Sequence, residues 1–262
     1  MLNPDRSPDG DATQGCLMDE WHYDHALCLE PAFIERLDAL RLNSTVPVHA
    51  ARWLASVALR AWLRTYHRFT IIGRENLPLD RSFVMIANHA SHLDTLCLLS
   101  ALPLCRLSQA FPAAAKDYFC KSAVRKLVAT VFVNAIPFER HLAPWHSLSA
   151  CAYVLETGNV LILFPEGTRG AESEPGEFKP GVALITAARN IPIIPCHLAG
   201  TREALPKGTW FPRPTALRLT IGKPRVYAHL PATKSSARRI CQELREAVML
   251  LAPPTFSTRR TS

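Results

Sequence analysis

Phe83-Val84-Met85-Ile86-Ala87 is an uninterrupted apolar run, and Asn88-His89-Ala90-Ser91-His92-Leu93-Asp94 follows it without a spacer. So short a run predicts a buried strand rather than a core helix, which needs about ten residues or more. His89 then stands where a strand ends, the place where open α/β sheets carry their chemistry. A helix beginning near Ser91 or His92 turns the Asp94 carboxylate back toward the His89 imidazole. A carboxylate on one ring nitrogen fixes the tautomer and raises the basicity of the other, which makes a general base for a hydroxyl proton. His89, His92 and Asp94 also read as metal ligands, although no HxH, HExxH or CxxC spacing accompanies them.

The same pattern recurs downstream. Val160-Leu161-Ile162-Leu163 is a second strand-length apolar run, closed by Phe164-Pro165-Glu166-Gly167-Thr168-Arg169-Gly170. Gly167 and Gly170 let backbone approach a ligand closely. Thr168 offers a hydroxyl, and Arg169 a planar fork suited to phosphate. Glu166 is placed to orient that guanidinium or to bind an acceptor hydroxyl.

Taken together, NHxSxxD followed by FPEGTRG resembles the glycerolipid acyltransferase family, whose members acylate glycerol phosphate, lysophosphatidate and related lysolipids. Further blocks of that family follow in order. Ala115-Lys116-Asp117-Tyr118-Phe119 resembles its lysine-bearing segment, and Asn134-Ala135-Ile136-Pro137-Phe138-Glu139-Arg140 its second motif. Phe178-Lys179-Pro180-Gly181 is similar to the segment after the third motif. Ile191-Pro192-Ile193-Ile194-Pro195-Cys196-His197 is similar to the fourth, continued by Gly200-Thr201-Arg202-Glu203-Ala204-Leu205-Pro206. The likeness runs from about Arg68 to about Arg225. It departs at Asn134, where the family usually carries glycine, and at Glu139, where it often carries aspartate.

The resemblance implies that His89 and Asp94 are catalytic and that Lys116, Arg140, Glu166, Gly167, Thr168 and Arg169 bind substrate, the cations holding a phosphate. It implies an acyl-CoA or acyl carrier protein donor, no resident cofactor and no metal. The favoured acceptor is 1-acylglycerol-3-phosphate; another lysolipid, or glycerol phosphate, would need the same chemistry. Two readings from other classes stay open: a metal-dependent hydrolase using His89, His92 and Asp94, and a lipid-binding module without catalysis.

Charge separates the chain into parts. Residues 1–30 hold seven acids and one base, Arg6, a net −6 that leaves +14 for the remainder of a chain whose total is +8. A basic body calls for an anionic partner such as a membrane surface or an acidic carrier. No nucleic-acid-binding motif is present and aromatics do not interleave with the basic residues, so nucleic acid is the least expected partner and none is predicted. The eight cysteines are scattered and form no close pair, which predicts reduced thiols. The acidic N-terminus lacks the apolar stretch of a secretory signal.

Residues 39–74 contain six arginines and no acid. Residues 47–69 read as a helix with Arg52, Arg60, Arg64 and Arg68 on one side and Leu54, Ala58, Leu59, Trp62 and Tyr66 largely opposite. Arginine recurs too often for a span of about 20 apolar residues. An amphipathic helix lying in a membrane interface fits better. Beyond it, strands are expected near 83–88, 109–115, 131–136, 160–164, 191–196 and 216–222. Helices are expected near 94–102, 117–129, 146–157, 180–189 and 235–251. The alternation predicts a single α/β domain with a mixed, mainly parallel sheet flanked by helices. The expected organisation is an acidic extension over 1–45, the interfacial helix over 46–70, an α/β acyltransferase domain over 71–252 and a polar tail over 253–262. The expected location is the cytoplasmic side of a membrane, peripheral or monotopic.

Overall fold

The computed structural model of the chain describes residues 46–115, 136–138, 144–170, 175–209 and 211–253. The acidic extension over 1–45, the helix expected over 117–129, Lys116 and Arg140 lie outside the described residues, as does all but the first residue of the polar tail.

Among the described residues seven strands form one sheet: β1 (Thr70–Ile72), β2 (Phe83–Ala87), β3 (Ala110–Ala115), β4 (Ile136–Phe138), β5 (Val160–Leu163), β6 (Ile193–Ala199) and β7 (Arg218–Ile221). Their spatial order is β1-β7-β6-β2-β5-β3-β4. Every neighbouring pair is parallel except β6 with β7. The mixed, mainly parallel sheet expected from the alternation is therefore present. β1 escaped the sequence reading because three residues are too few to show a period.

The apolar run of β2 has a physical reason. All five of its residues are buried, because β2 lies at the centre of the sheet with helices over both faces. Val84 and Ile86 point into one core, with Leu161 and Ile193 from the flanking strands. That core is closed by α3 (Pro144–Glu156), α4 (Gly181–Thr186) and α6 (Lys234–Leu250) through Leu155, Ile185 and Leu244. Phe83, Met85 and Ala87 point into the other, with Ile162 and Ile194. This second core is closed by α1 (Val46–Tyr66) through Leu63 and by α2 (Leu93–Ala101) through Cys97 and Leu98. A four-residue helix, α5 (Thr201–Ala204), follows β6 directly.

The helix α1 differs from its sequence reading. Arg52 and Arg60 are half-buried against the domain, and the Arg60 guanidinium donates to the Leu102 carbonyl at the C-terminal end of α2. A cation there satisfies a helix-terminal carbonyl and complements the helix dipole. With those arginines turned inward, the outward face carries Trp53 (52% exposed), Leu54 (61%) and Val57. Leu59 and Trp62, expected on the same side as Leu54, instead pack against the second core. Among the described residues no helix is long and apolar enough to cross a membrane.

Gly200, between β6 and α5, has φ +85°, and a Cβ there would lie 2.3 Å from the Ala216 carbonyl oxygen. Gly200→Ala is expected to destabilise the fold by about 2 kcal/mol or more. Thermal unfolding should show this as a Tm lower by roughly 4–8 °C.

His67 and His197 are buried, and burial holds both imidazoles below their ordinary pKa of 6.5. For His67, the Thr215 carbonyl on Nδ1 works in the opposite direction. Burial thus favours the neutral form of both rings in the fold. Their contribution to stability is full above the unfolded value and is lost as pH falls through the lowered folded values. The Tm should fall between about pH 7 and about pH 5, and His67→Gln with His197→Gln should flatten that slope.

Candidate active site

The site is assembled where β6, β2 and β5 end side by side. β2–β6 pairing stops at Ala87 with Cys196, and the Asn88 side chain takes over. Its amide donates to the Leu198 carbonyl (2.9 Å), and its oxygen accepts from the Leu198 N–H (2.8 Å). The next residue, His89, is fixed by that clasp.

Asp94 lies in the first turn of α2 and is fully buried. Its Oδ2 accepts from His89 Nδ1 (2.9 Å), from the Ala90 N–H (2.7 Å) and from the Ser91 N–H (2.8 Å). A carboxylate removed from water needs such donors. The helix start therefore does bring Asp94 to His89. With Nδ1–H donated to the carboxylate, the proton-accepting nitrogen of the neutral ring is Nε2. Ser91 completes the turn: its hydroxyl donates to the Leu205 carbonyl (2.9 Å) and accepts from the Leu93 N–H (3.3 Å). Each named position of NHxSxxD thus has a distinct physical task.

The second block wraps the same histidine. Phe164 stacks on the imidazole at 4.1 Å between ring centroids, with 20° between the planes. The Gly170 N–H donates to the His89 carbonyl (2.9 Å). Glu166 is buried, and its two oxygens accept from the His89 N–H (2.9 Å) and the Gly176 N–H (3.1 Å). The sequence placed Glu166 on Arg169 or on an acceptor hydroxyl. The structure instead gives its carboxylate two backbone partners, the N–H groups of His89 from the first block and of Gly176 beyond the second. Gly167 has φ +72°, and a Cβ there would meet Lys179 Cε and Nζ at 3.0 Å. The Lys179 side chain lies across this glycine, held by its own N–H on the Pro165 carbonyl (2.9 Å). Thr168 is exposed and Arg169 partly so.

Two residues with no assigned role from the sequence join the site. Arg202 donates through Nη2 to the Gly170 carbonyl (3.2 Å), and Leu205 receives Ser91. Their positions depend on the left-handed turn at Gly200, which a motif match does not reveal. The metal grouping of His89, His92 and Asp94 is not formed: among the described residues no three His, Cys, Asp or Glu side chains gather as a metal site. His92 is exposed at the start of α2, and Asp94 Oδ2 already accepts from three donors. The buried cysteines are poor nucleophiles, since burial pushes the Cys151 thiol up to about 12 and the Cys241 thiol up to about 11.

A profile of the Acyltransferase family matches residues 68–199, which include both blocks and β1 to β6. A 1-acyl-sn-glycerol-3-phosphate acyltransferase of Chlamydomonas reinhardtii is 30% identical over 196 residues, covering 72% of this chain and 54% of the relative. A chloroplastic enzyme of the same name from Brassica napus is 29% identical over 201 residues, covering 76% and 54%. The Bacillus subtilis protein of that name is 27% identical over 187 residues, covering 69% and 86%. The chain spans about half the length of the algal and plant relatives it matches. The crystal structure of the 1-acyl-sn-glycerophosphate acyltransferase PlsC from Thermotoga maritima superposes with a TM-score of 0.59 at 22% identity, covering 84% of this chain and 88% of that one. That likeness shows a shared fold. The chain belongs to the Acyltransferase family.

The partners of Glu166 suit it to positioning His89, and kinetics can tell this from acceptor binding. Glu166→Ala removes the acceptor of two part-buried N–H groups, which should lower stability by about 1 kcal/mol. The kcat should fall at least about tenfold with acceptor KM little changed. A raised KM with kcat retained would return Glu166 to the acceptor-binding role.

Proposed function

We propose that this chain transfers a fatty acyl group from a thioester donor to the free hydroxyl of a lysophospholipid, with 1-acylglycerol-3-phosphate as acceptor and phosphatidate as product. The observation that carries the reading is the 2.9 Å bond from His89 Nδ1 to a fully buried Asp94. The names of the relatives support the choice of acceptor.

His89 Nε2 takes the acceptor's hydroxyl proton as that oxygen attacks the thioester carbonyl. Asp94 holds the ring and stabilises it once charged. The tetrahedral oxyanion collapses by expelling the donor thiolate, which recovers the proton from Nε2. No covalent acyl-enzyme is required, because the thioester is already activated. Within the 166–170 turn, the N–H groups of Gly167 and Gly170 are engaged by the carbonyls of Phe164 and His89. Those of Glu166, Thr168 and Arg169 are the candidates to meet the oxyanion. Arg169, with Arg140 and Lys116, would hold the acceptor phosphate and set its hydroxyl beside Nε2, where orientation alone contributes several kcal/mol.

The donor is acyl-CoA or acyl carrier protein, both anionic and suited to a basic body. The outward Trp53, Leu54 and Val57 of α1 would seat the chain on a membrane as a peripheral or monotopic protein on the cytoplasmic side.

The test is thiol release from acyl-CoA with and without lysophosphatidate. Release should require the acceptor and should fall by about 10²–10⁴ in kcat for His89→Ala and for Asp94→Ala, with lysolipid binding retained. Release without acceptor would mark a hydrolase, and full activity of His89→Ala would end the general-base reading.

A further inference from the structure

Phe211 is the most exposed large apolar side chain among the described residues, at 86%. A single exposed phenylalanine means little by itself. Its loop, described over residues 206–209 and 211–214, is however tied on three sides. Just before it, the Leu205 carbonyl accepts from Ser91 of the His89–Asp94 turn (2.9 Å). The Arg213 N–H donates to the Ala204 carbonyl (2.7 Å) and closes the loop. The Tyr66 hydroxyl, at the end of α1, donates to the Pro212 carbonyl (2.9 Å). The loop is thus pinned between the candidate active site and the helix whose outward face is Trp53, Leu54 and Val57.

Charge supplies a second, independent observation. Residues 204–242 contain eight Lys and Arg and no Asp or Glu, as residues 39–74 contain six Arg and none. These two acid-free segments lie far apart in sequence. Parallel pairing of β1 with β7 sets residues 70–72 of the one beside 218–220 of the other at one edge of the sheet. Arg64, Arg68, Arg213 and Arg218 are exposed there.

We infer that the 206–214 loop is a second membrane-seating element and that its partner is an anionic bilayer surface. Phe211 enters the boundary of the acyl chains while the arginines of this edge meet lipid phosphates. α1 lies in the same interface. The link from Leu205 to Ser91 then sets the His89 turn against the bilayer, so that an acceptor need not leave it. The inference rests on the lipid-directed reading above and adds a surface to it.

The test is co-sedimentation of the full chain with phosphatidylglycerol-containing vesicles and with pure phosphatidylcholine vesicles. Binding should favour the anionic vesicles and weaken with added salt. Phe211→Ser should weaken partitioning roughly tenfold, and Phe211→Leu should restore most of it. Turnover of a short-chain acceptor kept below micelle formation should be the same for Phe211→Ser as for the unaltered chain. Trp53→Ser with Leu54→Ser probes α1 alongside. Equal partitioning of Phe211→Ser and the unaltered chain, or no partitioning by either, overturns the inference. So does loss of turnover on the monomeric acceptor with partitioning intact, which would put Phe211 in the substrate site. Partitioning that depends on Phe211 in a chain that acylates no acceptor would instead sink the catalytic reading and leave the membrane surface standing.

Discussion

A carboxylate with no exposure to water organises this site. Asp94 sits under the first turn of α2 and needs donors. It finds them in one imidazole and two consecutive backbone N–H groups. Those bonds determine the shape of residues 88–94: the chain must fold back over the helix start, and His89 must turn Nδ1 inward. The ring's remaining nitrogen faces away from the carboxylate as a consequence. The orientation of the His89 ring therefore follows from satisfying a buried charge, and the surrounding contacts keep that charge and its donors in register.

The sheet supplies the register. β6, β2 and β5 are neighbours and parallel, so their C-terminal ends leave the sheet on the same side. From β2 come Asn88, His89 and the turn to Asp94. From β5 come Phe164, which stacks on the imidazole, and Glu166, which accepts the His89 N–H. From β6 come Leu198, clasped by Asn88, then Arg202 and Leu205. Each segment bonds to the turn of its neighbour, so a displacement of one strand end is felt at the imidazole. The packing of both faces stiffens the frame; the second core, with Leu63, Leu98 and Ile194, lies under the same strands.

Much of this was legible in the sequence, for a definable reason. Short apolar runs that close on polar turns mark buried strands, and β2, β3, β5, β6 and β7 all fall within or close to their expected ranges. The closeness of His89 and Asp94 follows from their spacing and a helix start between them. Contacts that run between segments distant in sequence were not legible. The bonds of Glu166 to His89 and Gly176, of Arg202 to Gly170 and of Ser91 to Leu205 join residues that no local pattern pairs. The orientation of α1 was not legible either, because a wheel sorts residues by type and does not say which side meets the domain. Arg60 has a helix C-terminus to cap, and that bond turns an arginine inward and leaves Trp53 and Leu54 outside.

The electrostatics of the FPEGTRG turn follow from the partners of Glu166. A glutamate three residues before an arginine invites an ion pair that would cancel both charges. Here the carboxylate is buried and holds two N–H groups, and no ion pair joins it to Arg169. Lys179 crosses the turn at Gly167, and no carboxylate among the described residues pairs with its ammonium. Arg202 reaches the same turn by donating to a neutral carbonyl. Three cations thus surround a turn whose one acid already serves the backbone. The resulting positive field suits an incoming phosphate, and it arises without a cost in unpaired buried charge, because Lys179 is exposed and Arg169 and Arg202 are partly so. The need to satisfy His89's backbone and the need to keep the turn positive are met by the same glutamate.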